Sequence, residues 1–217
     1  MADDGVEWVV KPSGQVLRDG LVELVSARLG VALGVATAEA RTFTVEEGLL
    51  DAMRLLDPEM RALAGRFVAT MTVFGSRLQP GADWVQPRHA TAEERNKIGH
   101  LWVFDTWIAN ADRRPDNPNL LVSDGRLLAI DHAQGLPWLS GDVPRGTPHV
   151  RDAFGADADV LAGEAAARAA LARFASERAV REVIDDVPAA WVREEEMDNL
   201  VMLLADRARV LADGGAL

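Results

Sequence analysis

The sequence has no cysteine, almost no lysine and no long apolar run. Without cysteine, the 217-residue chain can form no disulfide, no thiolate metal site and no cysteine nucleophile. No stretch reaches the roughly 18 consecutive apolar residues that a membrane-spanning helix needs. The start, Met1-Ala2-Asp3-Asp4, is acidic, whereas a signal peptide begins with basic and then apolar residues. We therefore expect a soluble, cytoplasmic protein.

Positive charge is also scarce, because 34 acidic residues outnumber 23 basic ones and the net charge is −11. Nucleic acids and anionic membranes are bound by clustered lysine and arginine, so neither is an expected partner. Only Lys11 and Lys97 are lysines, and the rest of the 23 basic residues are arginines. We interpret Lys11, which lies in an apolar strand, as a position that needs an ammonium group rather than a guanidinium.

The first third of the chain alternates strand and helix patterns. Residues 6–11 alternate as a strand does, and a helix with apolar spacing from Leu17 to Leu29 follows and is predicted to end at Gly30. One or two short helices are predicted around Asp57-Pro58. The β-branched and aromatic run 67–74 predicts a strand that ends at Gly75.

The remainder of the chain is mainly helical in pattern. The connection Gln79-Pro80-Gly81 predicts a boundary near residue 80, which divides the chain into parts 1–80 and 81–217. Thr91 and Glu94 form a capping box that opens a long, largely buried helix to about Ala109. Helical patterns return beyond residue 160. The 48% hydrophobic content can bury one core or two small lobes that face each other.

A polar loop and a hairpin follow the long helix. Asp124-Gly125 is a two-residue turn signal, so Ser123 should pair with Arg126. Continuing this pairing outward places Asp131 opposite Pro118, and hence within roughly 5–7 Å of Asn117.

These residue types suit phosphoryl transfer. Mg²⁺ takes one or two protein carboxylate or amide oxygens and completes its shell with water and phosphates, as Asn117 and Asp131 would permit. Asp112 lies in the same loop and could accept a proton from an attacking hydroxyl. Lys11 could hold the nonreacting phosphates, with Glu23 fixing its ammonium, and Val9 could pack on a purine ring.

This set of motifs resembles the HipA-like kinases, which are distant relatives of protein kinases and of phosphoinositide 3- and 4-kinases. The resemblance is carried by Asp112-x-x-x-x-Asn117, by Ile130-Asp131-His132, and by the segments Trp8-Val9-Val10-Lys11 and Val22-Glu23-Leu24. It covers roughly residues 6–135 and, more weakly, the helical C-terminal part. The loop Asn110-Ala111-Asp112-Arg113 is equally similar to that of the phosphoinositide kinases.

The resemblance implies a two-lobed α+β protein-kinase-like fold that uses ATP and Mg²⁺ to phosphorylate a hydroxyl, with protein serine or threonine as the favoured acceptor. Asp112 would be the catalytic base, Asn117 and Asp131 the magnesium ligands, Lys11 the phosphate lysine and Glu23 its partner. The segment 74–78 would lie near the interlobe hinge that meets adenine.

The sequence departs from the family pattern in two places. His132-Ala133 stands where protein kinases have a Phe-Gly pair, and the glycine-rich strand and loop do not precede the turn signal Asp4-Gly5. We expect the missing strand to be encoded upstream. The alternatives are a nucleotide-binding pseudokinase or regulatory module, and a lipid or small-molecule kinase.

Several polar and aromatic residues have simpler interpretations. Arg113 and Arg114 could contact phosphate, but solvated arginines or pairs with Asp116 are equally compatible with the loop. His132 is expected to hydrogen-bond the catalytic loop, whereas His149 belongs to no pattern. The tryptophans are interpreted as core residues rather than platforms for bases.

Overall fold

A computed structural model describes residues 5–11, 18–142 and 149–216 of the chain. Within these ranges the fold is α+β, as the sequence predicts, and it contains two three-stranded sheets and seven α-helices. The strands are β1 Trp8–Lys11, β2 Ala40–Thr44, β3 Thr72–Arg77, β4 Asp83–Trp84, β5 Leu120–Ser123 and β6 Arg126–Ala129. The helices are α1 Asp19–Leu33, α2 Glu47–Leu55, α3 Pro58–Ala64, α4 Ala92–Ile108, α5 Ala158–Leu171, α6 Glu177–Ile184 and α7 Glu194–Ala212.

The first sheet has the order β1-β3-β2, with antiparallel neighbours. The prediction of a strand over 67–74 that ends at Gly75 is wrong, because β3 begins at Thr72 and continues through Gly75 to Arg77. A Cβ on Gly75 would overlap the ring of Phe43, so the glycine lets that ring cross the central strand. The glycine marks a close approach of a side chain rather than a strand end.

Helix α1 is buried along most of its length. The prediction that it ends at Gly30 is wrong. The helix continues to Leu33 and is capped by Gly34 in the left-handed conformation, with φ 91°. A Cβ on Gly30 would lie 3.2 Å from Thr37 Cγ2 and 3.3 Å from the ring of Phe104, so Gly30 serves close packing. Asp4 of the expected turn, and Leu17 of the expected helix, lie outside the described residues.

The local signals for the other helices are confirmed. Asp57 caps α3 by accepting from the backbone N–H of Met60 at 2.9 Å. Thr91 and Glu94 form the predicted capping box at the start of α4. Ala109 ends that helix in the left-handed conformation, with φ 54°, and turns the chain into the polar loop.

The second sheet has the order β4-β5-β6. Its β5–β6 hairpin has the predicted register, with Ser123 opposite Arg126, and Asp124 and Gly125 both have positive φ, as a type I′ turn requires. Beyond the strands, Ile130 N donates to Asn119 O at 3.0 Å, so the pairing extends one step past the ladder before Asn119 and Asp131 turn the chain with positive φ. The hairpin therefore brings the polar loop to Asp131.

The tryptophan prediction holds in part. Trp107 and Trp191 are 0% and 1% exposed and belong to the main core. Trp84 is 58% exposed on β4, so for this residue the core interpretation is wrong. Strand β4 is only two residues long and lies at the edge of its sheet, where fewer neighbouring residues can cover a side chain.

Candidate active site

Lys11 joins two acidic side chains that are distant in the sequence. Its Nζ donates to Glu23 Oε1 at 2.5 Å and to Asp131 Oδ1 at 2.9 Å. Lys11 ends β1, Glu23 lies on α1 and Asp131 follows β6, so three elements meet at one ammonium group. The structure thus brings together three of the residues predicted from sequence to form the site.

Glu23 is charged although it is only 4% exposed. Burial by itself raises the pKa of a carboxyl, but hydrogen bonds and charges from His132 and Lys11 outweigh burial and lower the pKa of Glu23 to about 2. Partial burial likewise opposes the charge on Lys11, yet Glu23 and Asp131 together raise the pKa of its ammonium. The pair is therefore ionised at neutral pH.

Asp112 is held by the two asparagines that follow it. Its Oδ2 accepts from Asn117 Nδ2 and from Asn119 Nδ2, each at 3.1 Å. Its own N–H donates to Asn110 Oδ1 at 3.2 Å, which closes the start of the loop. Because the Asn117 amide directs its nitrogen toward Asp112, its carbonyl oxygen can face a cation.

The backbone around these residues is unusual. Asn119 and Asp131 have φ 46° and 53°, a left-handed conformation that asparagine and aspartate adopt more readily than most residues. Such conformations cluster at functional sites, where the surrounding structure holds them in place. Here they occur on the two chain segments that carry the predicted magnesium ligands.

Beneath the loop lies a charged cluster that sequence reasoning missed. Asp105 on α4, Arg113 and His149 are each 0% exposed. Arg113 is thus neither a solvated arginine nor a partner of Asp116, because its Nε donates to Asp105 Oδ2 at 2.7 Å. Only Arg114 pairs with Asp116, at 3.6 Å.

A sequence signal existed for part of this cluster. Asp105 is a charged residue within the apolar run Val103 to Ile108, where an unpaired carboxylate would be costly to bury. No comparable signal exists for His149, which is 44 positions away from its partner Asp105.

The family of the chain follows from comparison with known proteins. The family described as HipA-like kinase matches residues 1–212. The chain belongs to the HipA-like kinase family. A comparison with curated proteins finds no match. Membership makes the protein an enzyme with phosphotransferase activity and agrees with the two-lobed α+β kinase-like fold.

His132 occupies the position after Asp131 where protein kinases have phenylalanine. In this HipA-like kinase its backbone N–H donates to Glu23 Oε2 at 3.0 Å, and its ring packs edge-on against Phe104 at 5.6 Å. The prediction that His132 bonds the catalytic loop is therefore wrong, because the residue instead bonds α1. Its place beside Asp131 makes it a link between that carboxylate and Glu23.

Two further predicted regions of this HipA-like kinase lie along the first sheet. Val9 is 47% exposed on β1 and faces Ser76 of β3 in register. Most of the segment 74–78, predicted as the adenine hinge, forms the second half of β3, where Phe74 faces Lys11. Both regions are thus close to Lys11 in the sheet.

The donor set fits a magnesium ion. Within the described ranges, no three His, Cys, Asp or Glu side chains form a metal cluster by themselves. Mg²⁺ does not require one, since it uses few protein oxygens and retains water and phosphate ligands. The carboxylate of Asp131 is 51% exposed, which leaves it accessible to such an ion. Also within these ranges, no helix is long and apolar enough to cross a bilayer.

Proposed function

We propose that this HipA-like kinase transfers the γ-phosphoryl group of ATP to a hydroxyl of a protein serine or threonine, with Mg²⁺ as cofactor. The observation that supports this most strongly is the double contact of Lys11 with Glu23 and Asp131. It fixes a cation beside a half-exposed carboxylate, as binding of a metal–nucleotide complex requires.

Asp112 is proposed as the catalytic base. Its carboxylate has one oxygen held by two amides, so its orientation is set before an acceptor arrives. A fixed carboxylate within hydrogen-bond reach of an incoming hydroxyl can accept its proton as the phosphoryl group is transferred.

Asn117 and Asp131 are proposed to hold the magnesium ion. When bound, Mg²⁺ neutralises the charge of the phosphates and of the transferring group. The hydrogen bond from Ile130 N to Asn119 O supports this assignment, because it holds the segment that follows Asn117 beside the residue that precedes Asp131.

Lys11 is proposed to bind the nonreacting phosphates, with Glu23 holding its ammonium from the buried side. Phosphates would share the lysine with Asp131, whose contact is the more exposed of the two. Val9 and the 74–78 segment are proposed to contact the purine, because both belong to the first sheet, in which strand β1 ends at Lys11.

We also propose that the two lobes meet at about residue 80. Residues up to 80 would include the first sheet with α1, α2 and α3, and residues from 81 onward would include the catalytic loop and the remaining helices. A cleft between these parts would lie where Lys11 contacts Asp131.

Replacing Asp112 tests the assignment directly. We expect Asp112→Ala to reduce Mg-ATP-dependent autophosphorylation and ATP hydrolysis by roughly 10²- to 10⁴-fold, the usual contribution of a general base. Asp116→Ala is a matched control, because that carboxylate lies in the same loop with 77% of its side chain exposed. Its rate should stay within about twofold of wild type.

Equal rates for wild type and Asp112→Ala would contradict the proposed catalytic base. Nucleotide binding without any turnover would favour the regulatory alternative. Phosphoamino acid analysis of the labelled product, run beside phosphatidylinositol vesicles, distinguishes a protein acceptor from a lipid one.

A further inference from the structure

The proposed chemistry does not use three fully buried polar side chains. Asp105, Arg113 and His149 are each 0% exposed, yet none faces the cleft as a reacting group. Burying a charged pair is costly unless its partners satisfy it closely, so such a cluster needs an explanation.

Asp105 satisfies three donors. Its Oδ2 accepts from Arg113 Nε at 2.7 Å and lies 2.6 Å from His149 Nε2. Its Oδ1 accepts from Asn110 Nδ2 at 3.1 Å. Burial by itself would raise the pKa of Asp105, but Arg113 and His149 outweigh burial and lower it to about 2. The carboxylate is therefore an ionised centre that gathers donors from three segments.

The same cluster fixes both ends of the catalytic loop. Asn110, held by Asp105, accepts from the N–H of Asp112 at 3.2 Å. Arg113 donates through Nη1 to the carbonyls of Pro118 and Asn119, at 2.9 and 2.7 Å. Asn119 in turn donates to the Asp112 carboxylate. The backbone of Asp112 is thus connected to Asp105 through Asn110. The side chain of Asp112 is connected to Asp105 through Asn119 and Arg113.

His149 ties this network to a different part of the chain. Its Nδ1 accepts from the N–H of Arg151 at 3.0 Å, so the ring proton lies on Nε2. The Nε2–H then donates to Asp105. His149 thus contributes one oriented hydrogen bond to the cluster.

We infer that Asp105, Arg113 and His149 are positioning residues that hold the catalytic loop, and that His149 sets the rate of phosphoryl transfer without touching substrate. This inference rests on the proposed function for its effect on rate. The role of these three residues in holding residues 110–119 in place does not depend on the proposed function.

His149 is the member to replace. Removing Asp105 or Arg113 would leave the opposite charge buried and unpaired, which destabilises a fold regardless of catalysis. His149→Leu removes one donor and leaves the contact between Asp105 and Arg113 in place. His149→Gln can restore an N–H donor near the position of Nε2, whereas His149→Asn is too short to reach Asp105. His100→Leu is the control, because His100 lies on α4, the helix that carries Asp105, but makes none of the hydrogen bonds of this network.

The experiment combines steady-state kinetics with amide hydrogen exchange on the full chain. For His149→Leu we expect kcat to fall roughly 10- to 100-fold, as small misplacements of catalytic groups do, with KM for ATP within about twofold of wild type. Exchange in residues 110–119 should accelerate by about tenfold or more. His149→Gln should recover most of both losses, and His100→Leu should show neither.

The possible outcomes distinguish a failure of this inference from a failure of the proposed function. If wild type and Asp112→Ala have equal rates, the proposed function fails, and the exchange data still decide whether His149 holds the loop. If wild-type activity depends on Asp112 but His149→Leu retains normal kcat and normal exchange, the inference is overturned. Should His149→Leu not fold, the Gln and Asn variants decide the matter, and equal behaviour of those two would overturn it.

Discussion

Glu23 is a buried residue whose charge depends on its hydrogen-bond partners. It lies almost wholly inside the protein and accepts from both Lys11 and the backbone of His132. A carboxylate in this position is stabilised only in its ionised form, because its partners are donors. The residue therefore ties the ionisation of the site to the stability of the fold.

Acid should weaken the protein through Glu23. The pKa of this carboxyl is lowered from 4.5 to about 2, so its contribution to stability is complete above pH 4.5 and is lost as the pH falls toward 2. The free energy of unfolding of wild type, measured by urea denaturation, should decline across this interval. Glu23→Gln should be less stable at pH 7 and should decline less steeply. Parallel pH profiles for the two proteins would contradict the assignment.

Lys11→Ala tests the phosphate-binding role of the ammonium. We expect Mg-ATP binding to weaken by roughly 10- to 100-fold, the loss typical of hydrogen bonds to charged groups. The fold should persist with a lower melting temperature in the absence of nucleotide, because Glu23 loses the ammonium but keeps the backbone N–H of His132. The measurement is the rise in melting temperature on adding Mg-ATP.

Lys97→Ala is the natural control for this substitution, since Lys97 is the only other lysine and pairs with Glu93 on the surface of α4. Its Mg-ATP shift should equal that of wild type. If the shift of Lys11→Ala is also unchanged, Lys11 does not bind the nucleotide.

At the scale of elements, helices α4 and α5 depend on two glycines where they cross. A Cβ on Gly99 would overlap the carbonyl oxygen of Val160, and one on Gly163 would overlap that of Asn96. The backbones therefore approach more closely than any side chain would permit. Helix α4 carries Asp105 and leads into the catalytic loop, so this contact also sets the position of the site.

Gly99→Ala should destabilise the protein by about 1–3 kcal/mol or more, the cost of overpacking against a backbone that cannot move aside. Gly48→Ala is the matched control, because nothing lies within 4 Å of the added Cβ in helix α2. It should leave stability unchanged or raise it by up to about 1 kcal/mol. Urea denaturation measures both effects, and equal stability of the two variants would show that the helices separate readily.

Glycine also marks where prediction of the elements succeeded and failed. Gly125 was identified correctly because a two-residue turn is a local signal, and so was the capping box at Thr91. Gly30 and Gly75 were misinterpreted as ends of elements. Their partners, Phe104 and Phe43, are distant in sequence, and no local pattern shows that a ring will cover a glycine.

The whole molecule is held together by contacts of long sequence separation. Lys11 contacts Asp131, 120 positions away, and Arg18 at the start of α1 contacts Glu196, 178 positions away. The indole of Trp191 donates to the carbonyl of Thr72 in β3 at 3.2 Å. Trp191 and the first turn of α7 therefore support the same sheet and helix that carry Lys11 and Glu23.

This long-range organisation explains how much of the site could be predicted. The pairing of Ser123 with Arg126 follows from one turn, so counting residues was sufficient to predict the register of the hairpin that leads to Asp131. The pairing of Lys11 with Glu23 is predicted from the need of a strand lysine for a carboxylate, and the family resemblance adds Asp131 to the same site, because residue spacing does not bring separate elements together. The buried contact of Asp105 with His149 had neither a local pattern nor a family motif to reveal it.

A crystal structure with Mg²⁺ and a nonhydrolysable ATP analogue tests the central claim most directly. We predict one Mg²⁺ with oxygens of Asn117 and Asp131 at about 2.0–2.1 Å, the usual distance for this ion. Lys11 should contact the phosphates, and the Asp112 carboxylate should face the γ-phosphoryl group. A nucleotide bound elsewhere, or a metal ion that neither Asn117 nor Asp131 touches, would contradict the account.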